Sequence, residues 1–198
     1  FLLEAQSFRV LHRRRHREGD RVEPDPRLAP DRIGVGTRRH EGRGRDGAGE
    51  PSRLRLVESE VRNVYHYGVA IGAGCDSTVV ERCRISGTAW HGIRYDHASP
   101  TITGNVIFQN ARSGIYASGK TGAVVRGNVF WKNEMDGISC WFDNADTIEG
   151  NTFADNLREG LAVIGGAKPK VSQNIFFGSP TAIVCSATQG RSEPGEPV

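Results

Sequence analysis

The stretch GIRYDHASPTITGNVIFQN, residues 92–110, is followed almost at once by GIYASGKTGAVVRGNVFWKN, residues 114–133. Both begin with Gly-Ile, contain a Gly-Asn pair and end on asparagine. The pattern returns as GISCWFDNADTIEGNTFADN from Gly137 and, more loosely, as GLAVIGGAKPKVSQNIFFG from Gly160. A pattern rewritten at a fixed spacing indicates a repeat protein.

The repeat has a period of 22 to 24 residues. Its lead position is occupied in turn by Gly68, Gly92, Gly114, Gly137, Gly160 and Ala182. A second column, 23 residues apart throughout, consists of Asn105, Asn128, Asn151 and Asn174. The spacing predicts about six coils.

Alternation within each repeat indicates β-strands. The residue after the lead position is aliphatic in all six coils, and the residue two further on is predicted to face inward with it. A second strand is predicted around the asparagine column, where aliphatic and aromatic residues would stack as ladders. The Gly-Asn pair is predicted to turn a corner in left-handed backbone geometry, with stacked Asn amides hydrogen-bonding from coil to coil. A leucine-rich repeat is excluded because only four leucines follow residue 50.

These repeats, of the form G-I-x-x-x…T-I-x-G-N-x-F-x-x-N, resemble those of the pectin-lyase-like superfamily over about residues 54–186. The resemblance implies an all-β fold, a right-handed single-stranded parallel β-helix, and an extracellular or periplasmic location. Members of this superfamily include polysaccharide lyases, glycoside hydrolases, mannuronan C5-epimerases, phage tailspikes and a periplasmic accessory protein of nitrous-oxide reductase maturation. The resemblance therefore specifies the fold and leaves the activity open.

Composition divides the chain into three segments. Residues 1–50 contain 12 arginines and nine acidic side chains, and we expect them to be a mostly disordered, low-complexity segment, either a solvated linker or a basic arm. Residues 51–190 are expected to form the β-helix, and residues 191–198 a flexible tail. The chain begins with Phe1, and we expect it to be a fragment of a longer array. No apolar run is long enough to cross a membrane, and no signal peptide is visible.

The charge distribution argues against a nucleic-acid partner, and the cysteine spacing argues against metal and redox sites. After residue 50 there are 14 basic and 14 acidic side chains, and this neutrality argues against a nucleic-acid partner. The four cysteines show no metal or redox spacing. Cys140 and Cys185 occupy the same repeat position two coils apart, roughly 10 Å, so we expect free, buried thiols.

In each repeat, the second and the fourth residue after the lead position are predicted to face solvent. The resemblance implies that sugar chains lie along the outside of one such sheet. Asp96 is a candidate general acid or base, with Arg94 neutralising a uronate carboxylate and His97 as a further catalytic candidate. Candidate substrate-binding residues are Tyr116, Ser118, Ser139, Trp141 and His91. The alternative is that Arg94 and Tyr116 form an ordinary surface cation and ring pair.

Two motifs bear on the chemistry. The Asp-His dipeptide in WHGIRYDHASP is similar to the acidic and His motif of mannuronan epimerases, although the rest of that motif is missing. Sugar hydrolysis uses two carboxylates, and Asp96 has no acidic neighbour in its own columns. Asp143 and Asp146, in the turn FDNAD, are either turn formers or ligands for a calcium ion.

Two functions remain open from the sequence. The first is a carbohydrate-active β-helix that acts on or binds an acidic polysaccharide as a lyase, hydrolase or C5-epimerase. The second is a noncatalytic scaffold, adhesion or periplasmic accessory module that binds a surface glycan or a protein. Because uncapped coils expose strand edges, we also expect the isolated chain to self-associate unless its first eleven residues fold over the N-terminal end of the stack.

Overall fold

The fold was analysed in a computed structural model that describes residues 52–187. The expected disordered segment at residues 1–50 and the tail at residues 191–198 lie outside the described residues. The described part contains eighteen strands and no helix, so none of it could span a membrane as a helix. The all-β prediction is confirmed.

Each of six coils contributes three short strands. The first three coils contain β1 (Arg55–Val57), β2 (Glu60–Arg62), β3 (Val69–Ile71), β4 (Val79–Glu81), β5 (Arg84–Ser86), β6 (Ile93–Asp96), β7 (Thr101–Thr103), β8 (Val106–Phe108) and β9 (Ile115–Ser118). The last three contain β10 (Val124–Arg126), β11 (Val129–Trp131), β12 (Ile138–Trp141), β13 (Thr147–Glu149), β14 (Thr152–Ala154), β15 (Glu159–Ile164), β16 (Lys170–Ser172), β17 (Ile175–Phe177) and β18 (Thr181–Ser186).

Equivalent strands of successive coils pair in parallel and form three six-stranded sheets. Sheet A has the order β1-β4-β7-β10-β13-β16, sheet B the order β2-β5-β8-β11-β14-β17, and sheet C the order β3-β6-β9-β12-β15-β18. Equivalent repeat positions are direct partners, as in Ile93 with Ile115 and Ile115 with Ile138. The predicted solenoid of about six coils is therefore confirmed.

The strand predicted around the asparagine column is in fact two strands. The chain turns between β7 and β8 at Gly104, whose φ is +64°. An L-residue resists this left-handed geometry because its Cβ approaches the following carbonyl. The equivalent residue in the second coil is Arg82, at φ +50°, so the corner is kept even where no glycine is available.

Stacked side chains fill the interior. The rings of Phe130 and Phe153 stack at 5.0 Å, and those of Phe153 and Phe176 at 4.6 Å, as the predicted aromatic ladder requires. Tyr95, Phe130 and Phe153 are the largest fully buried side chains. Burial of these faces requires the neighbouring coil, so the stack is the unit that folds.

Two asparagine ladders lie inside the corners. In the predicted one, Asn105 Nδ2 donates to Asn128 Oδ1 at 2.9 Å, and Asn128 Nδ2 donates to Asn151 Oδ1 at 3.0 Å. A second ladder of the same form runs through the last asparagine of each repeat, Asn110, Asn133 and Asn156. The sequence analysis recognised this asparagine as a fixed position without predicting its ladder.

The last described coil is the least covered. Ile175 is 60% exposed and Phe177 is 54% exposed, and Cys185 on β18 is exposed as well. All four cysteines are free. Cys140 is buried as expected, Cys83 is buried too, and Cys75 is half-buried. The expected burial of Cys185 is wrong, because no described coil packs against β18 on its far side.

Candidate functional site

The predicted site residues lie side by side on the outer side of sheet C. Register places Arg94 beside Tyr116 and Tyr116 beside Ser139 in one row across three coils. The second row contains Asp96, Ser118 and Trp141 in the same order. Period-two alternation brings the rows together because every second residue of a strand points to the same face.

The accessibility of this face differs from the prediction. Arg94, Asp96 and Ser118 are half-buried and reach the surface. Tyr116, Ser139 and Trp141, predicted to face solvent, are only 7%, 1% and 6% exposed.

The buried part of the face is an apolar cluster separate from the interior. The Tyr116 and Trp141 rings lie 6.2 Å apart, and the cluster continues through Ala162 and Ile164 on β15. Trp141 Nε1 donates to Ser139 Oγ at 2.8 Å. Large rings on adjacent coils therefore cover one another and the small residues beside them, which is why the solvent-facing expectation fails here. A role for these side chains in substrate binding stays a prediction.

His91 lies beneath this cluster. Its ring stacks on the Tyr116 ring at 4.8 Å, and its Nδ1 accepts a hydrogen bond from the Ser113 backbone N–H at 3.2 Å. Burial, followed by the nearby Arg112 and Arg94 charges, lowers the pKa of His91 to about 3. The neutral imidazole therefore carries its proton on Nε2 and supports Tyr116 at physiological pH.

Further aromatic and cationic residues extend the site toward the first coils. The Arg94 guanidinium lies 5.3 Å from the centre of the Tyr67 ring. The Arg112 guanidinium lies 3.9 Å from Trp90. The sequence analysis missed Tyr67, Trp90 and Arg112, although each stands one or two residues before a lead glycine. Their regular position just before the lead glycine was the sequence pattern that could have identified them.

Asp96 and His97 form a pair where β6 ends. His97 Nδ1 lies 2.9 Å from Asp96 Oδ1. Because an ionised carboxylate only accepts, Nδ1 is the donor in this pair, and in the neutral imidazole the Nε2 lone pair is not used by this bond. His97 adopts a left-handed φ of +48°, and its ring occupies the space that a side chain at Gly119 would need.

The two carboxylates of the FDNAD turn have different surroundings. Asp143 is exposed, whereas Asp146 is fully buried. Asp146 Oδ1 accepts from the Ala123 N–H at 2.7 Å, and its Oδ2 accepts from Tyr95 Oη at 2.5 Å and Asn144 Nδ2 at 2.6 Å. Burial and the Asp146 charge raise the pKa of Tyr95, so that hydroxyl stays a donor. These bonds explain Asp146 as a structural corner residue, and calcium binding here stays a prediction.

No group of three or more His, Cys, Asp or Glu side chains placed to hold a metal ion occurs in residues 52–187. In the described part, the outer side of sheet C presents Arg94, the Asp96 and His97 pair, the Ser118 hydroxyl and the packed Tyr116 and Trp141 rings.

Comparison with known proteins supports the fold. The family described as "Right handed beta helix region" matches residues 47–193. The structure of the periplasmic alginate epimerase AlgG superposes with a TM-score of 0.51 at 15% identity, over 68% of this chain and 39% of that one. One of its mutants gives the same TM-score and identity over 68% of this chain and 40% of its own. At this identity the likeness concerns the fold alone, and this chain spans about two fifths of those structures. No curated protein matches the sequence.

Proposed function

This chain belongs to the right-handed β-helix region family, and on that premise we propose that the outer side of sheet C binds an acidic polysaccharide and removes protons from its uronate units. The observation that carries the proposal is the Asp96 and His97 pair at the end of β6, with Arg94 two residues before it on the same outer face.

Arg94 supplies the positive charge that a uronate needs. Its guanidinium is half-buried and lies over the Tyr67 ring, which restricts its orientation. Pairing with the substrate carboxylate neutralises the negative charge next to C5. The C5 proton then becomes more acidic, because the electron pair left on C5 delocalises into a carboxyl group that is no longer repelling it.

His97 is the base in this proposal. Its Nε2 accepts the C5 proton while Asp96 stabilises the imidazolium that forms, as an oriented carboxylate does for a catalytic His. Arg94 and Asp96 point to the same side of β6 and are separated by roughly 7 Å, two strand residues. That span lets Arg94 bind the carboxylate of a sugar while the imidazole approaches C5 of the same unit.

The intermediate has two outcomes. Protonation of C5 by water from the opposite face gives the epimer, and the His97 imidazolium returns its proton to solvent. Alternatively, the C4–O bond breaks, the leaving oxygen takes the proton held by His97, and an unsaturated product forms. Hydrolysis is disfavoured because it uses two carboxylates. The row that contains Asp96 continues with Ser118 and Trp141, and neither provides the second one.

The remaining groups shape the binding surface. The packed Tyr116 and Trp141 rings form a rigid floor beside the accessible groups, and Ser118 places a half-buried hydroxyl next to Asp96. The likeness to the alginate epimerase supports an acidic polysaccharide as the ligand and a periplasmic or extracellular location.

A noncatalytic binding module is the second candidate. Its support is that strand-to-strand spacing stays near 23 residues along the described stack, which leaves no long loop there to close over a substrate. Water exclusion by such a loop is one way in which enzymes strengthen electrostatic catalysis.

The test is a screen of polymannuronate, polyguluronate and polygalacturonate for unsaturated or epimerised products. We expect the wild-type chain to convert at least one polymer and His97→Gln to lose at least about 100-fold in rate, the contribution of a general base. Asp155→Asn, an exposed carboxylate on a different corner, serves as the control and keeps the wild-type rate. Tight binding by the wild-type chain with no conversion of any of the three polymers would favour the binding module.

A further inference from the structure

A second surface of the stack has an unusual composition. The last residue of each sheet B strand faces outward, and from the third coil onward these residues are Phe108, Trp131, Ala154 and Phe177. The Phe108 and Trp131 rings lie 5.9 Å apart on adjacent coils. Arg84 lies 5.0 Å from the centre of the Phe108 ring, and Lys132 lies 4.8 Å from that of Trp131. We call Arg84, Phe108, Trp131, Lys132 and Phe177 the sheet B strip.

Sheet A shows what an ordinary outer face of this stack looks like. Its equivalent positions include Thr103, Arg126 and Glu149, and the two charged residues form a salt bridge at 2.5 Å. Folding therefore requires no aromatic residue at this repeat position. Phe108 and Trp131 are half-buried and Phe177 is 54% exposed, and partly exposed rings that a fold does not require favour a binding surface.

The cations of the strip differ from those of sheet A in their partners. Arg84 and Lys132 are exposed, and within residues 52–187 neither forms an ion pair with a described carboxylate. Each instead lies within cation-π distance of a ring, which holds the charge beside an apolar platform. A ligand that carries both flat apolar faces and carboxylates complements this arrangement.

The spacing of the rings also favours a linear ligand. Trp131 and Phe177 are two coils apart, roughly 10 Å, with Ala154 between them. Ala154 is only 4% exposed, so its side chain adds little surface between the two rings. Successive coils are about 4.8 Å apart, close to the length of one pyranose unit in an extended chain, so successive sugars would meet successive coils.

We propose that the sheet B strip is a second binding site for an acidic polysaccharide, with the chain running along the stack. Phe108 and Trp131 stack on sugar faces, Arg84 and Lys132 bind carboxylates, and the exposed Phe177 ring stacks on one further sugar. The site requires none of the groups on sheet C, so it goes beyond the proposed function and is independent of it. A chain held on sheet B would stay attached while another segment occupies sheet C.

The test uses oligomannuronate and oligogalacturonate as probes in titration calorimetry, with a cello-oligosaccharide of equal length as the neutral comparator. Arg94→Gln in the full chain weakens the sheet C site, so that the remaining binding reports the strip. In that background we expect Trp131→Ala to weaken uronate binding at least tenfold and Lys132→Gln about threefold, with the Lys132 effect disappearing at high salt. Matched controls are Leu157→Ala, an exposed apolar residue elsewhere, and Arg126→Gln, the paired cation of sheet A.

Three results would overturn the proposal. The first is uronate binding that Trp131→Ala and Lys132→Gln leave unchanged. The second is equal affinity for the neutral oligosaccharide, which would remove the role of the cations. The third is concentration-dependent self-association that Trp131→Ala abolishes, which would identify the strip as an interface between two copies. Turnover of a polymer, or its absence, reports on sheet C and leaves this measurement unaffected.

Discussion

Replacement of Asn128 by alanine tests how strongly the stack depends on its asparagine ladder. The Asn128 side chain is fully buried in the middle of the ladder. Its Nδ2 donates to the Ile102 carbonyl and to Asn151 Oδ1, and its Oδ1 accepts from the backbone N–H and the Nδ2 of Asn105. One side chain thus connects three coils.

The cost of Asn128→Ala follows from the groups left behind. The Asn105 N–H loses its partner in a buried corner, whereas Asn105 Nδ2 keeps the Val80 carbonyl and the Ile102 carbonyl stays within the β7–β10 ladder. An unsatisfied buried backbone group costs about 1–3 kcal/mol, so the free energy of unfolding should fall by about that amount. A water molecule in the vacated space would bring the loss toward the lower end of that range.

The matched control is Asn174→Ala. Asn174 makes the same contacts to Asn151 and to the Ile148 carbonyl, but it is only partly buried on the last described coil, where water can replace the lost bonds. We expect a loss of about 1 kcal/mol there. Urea unfolding of both variants measures the difference. Equal destabilisation of the two, or a loss below about 1 kcal/mol for Asn128→Ala, would refute a ladder that stabilises through buried hydrogen bonds.

Three further predictions concern pH, the catalytic pair and the core. The pKa of His91 is lowered from 6.5 to about 3, so the unfolded chain binds a proton that the folded chain does not, and stability should fall as pH decreases from 6.5 toward 3. His91→Gln should remove part of that slope, at most about 1.4 kcal/mol per pH unit, in thermal unfolding followed across this range. Gly119→Ala should displace the His97 ring and lower the rate of product formation at least tenfold. Gly127→Ala, at a similar positive φ with open space around it, should cost similar stability and leave the rate unchanged, and equal rates in the two variants would contradict the proposed placement of His97. Phe153→Ala, which removes a ring between two stacked rings, should destabilise the chain by about 3–5 kcal/mol in urea unfolding, and a loss below about 1 kcal/mol would contradict the stacked core.

The repeat made the architecture predictable from the sequence. Ile93, Ile115 and Ile138 occupy one column of the sequence and are direct partners across sheet C. In-register stacking converts sequence columns into spatial columns, so the inward residues and the asparagine ladder follow from spacing alone. The corner at Gly104 was predicted for the same reason, since its backbone geometry is local.

The outer surface was harder to predict because it depends on the sizes of neighbouring side chains. Alternation correctly places Tyr116 and Trp141 outside the interior, but it does not show that their rings cover each other. The partner of Arg94 was also missed, since Tyr67 stands one residue before a lead glycine and reaches the face from the corner. The sequence predicts Asp146 to be either a turn former or a calcium ligand, and its buried hydrogen bond was not predictable because its donor Tyr95 is 51 positions away in sequence.

Hydrogen exchange at C5 of the substrate measures the proposed chemistry most directly. The wild-type chain would be incubated with each uronate polymer in heavy water, and deuterium at C5 would be followed by NMR. We expect deuterium at C5 of at least one polymer with the wild-type chain and none above background with His97→Gln. Retention of protium at C5 in every polymer that the wild-type chain binds would contradict proton abstraction by His97.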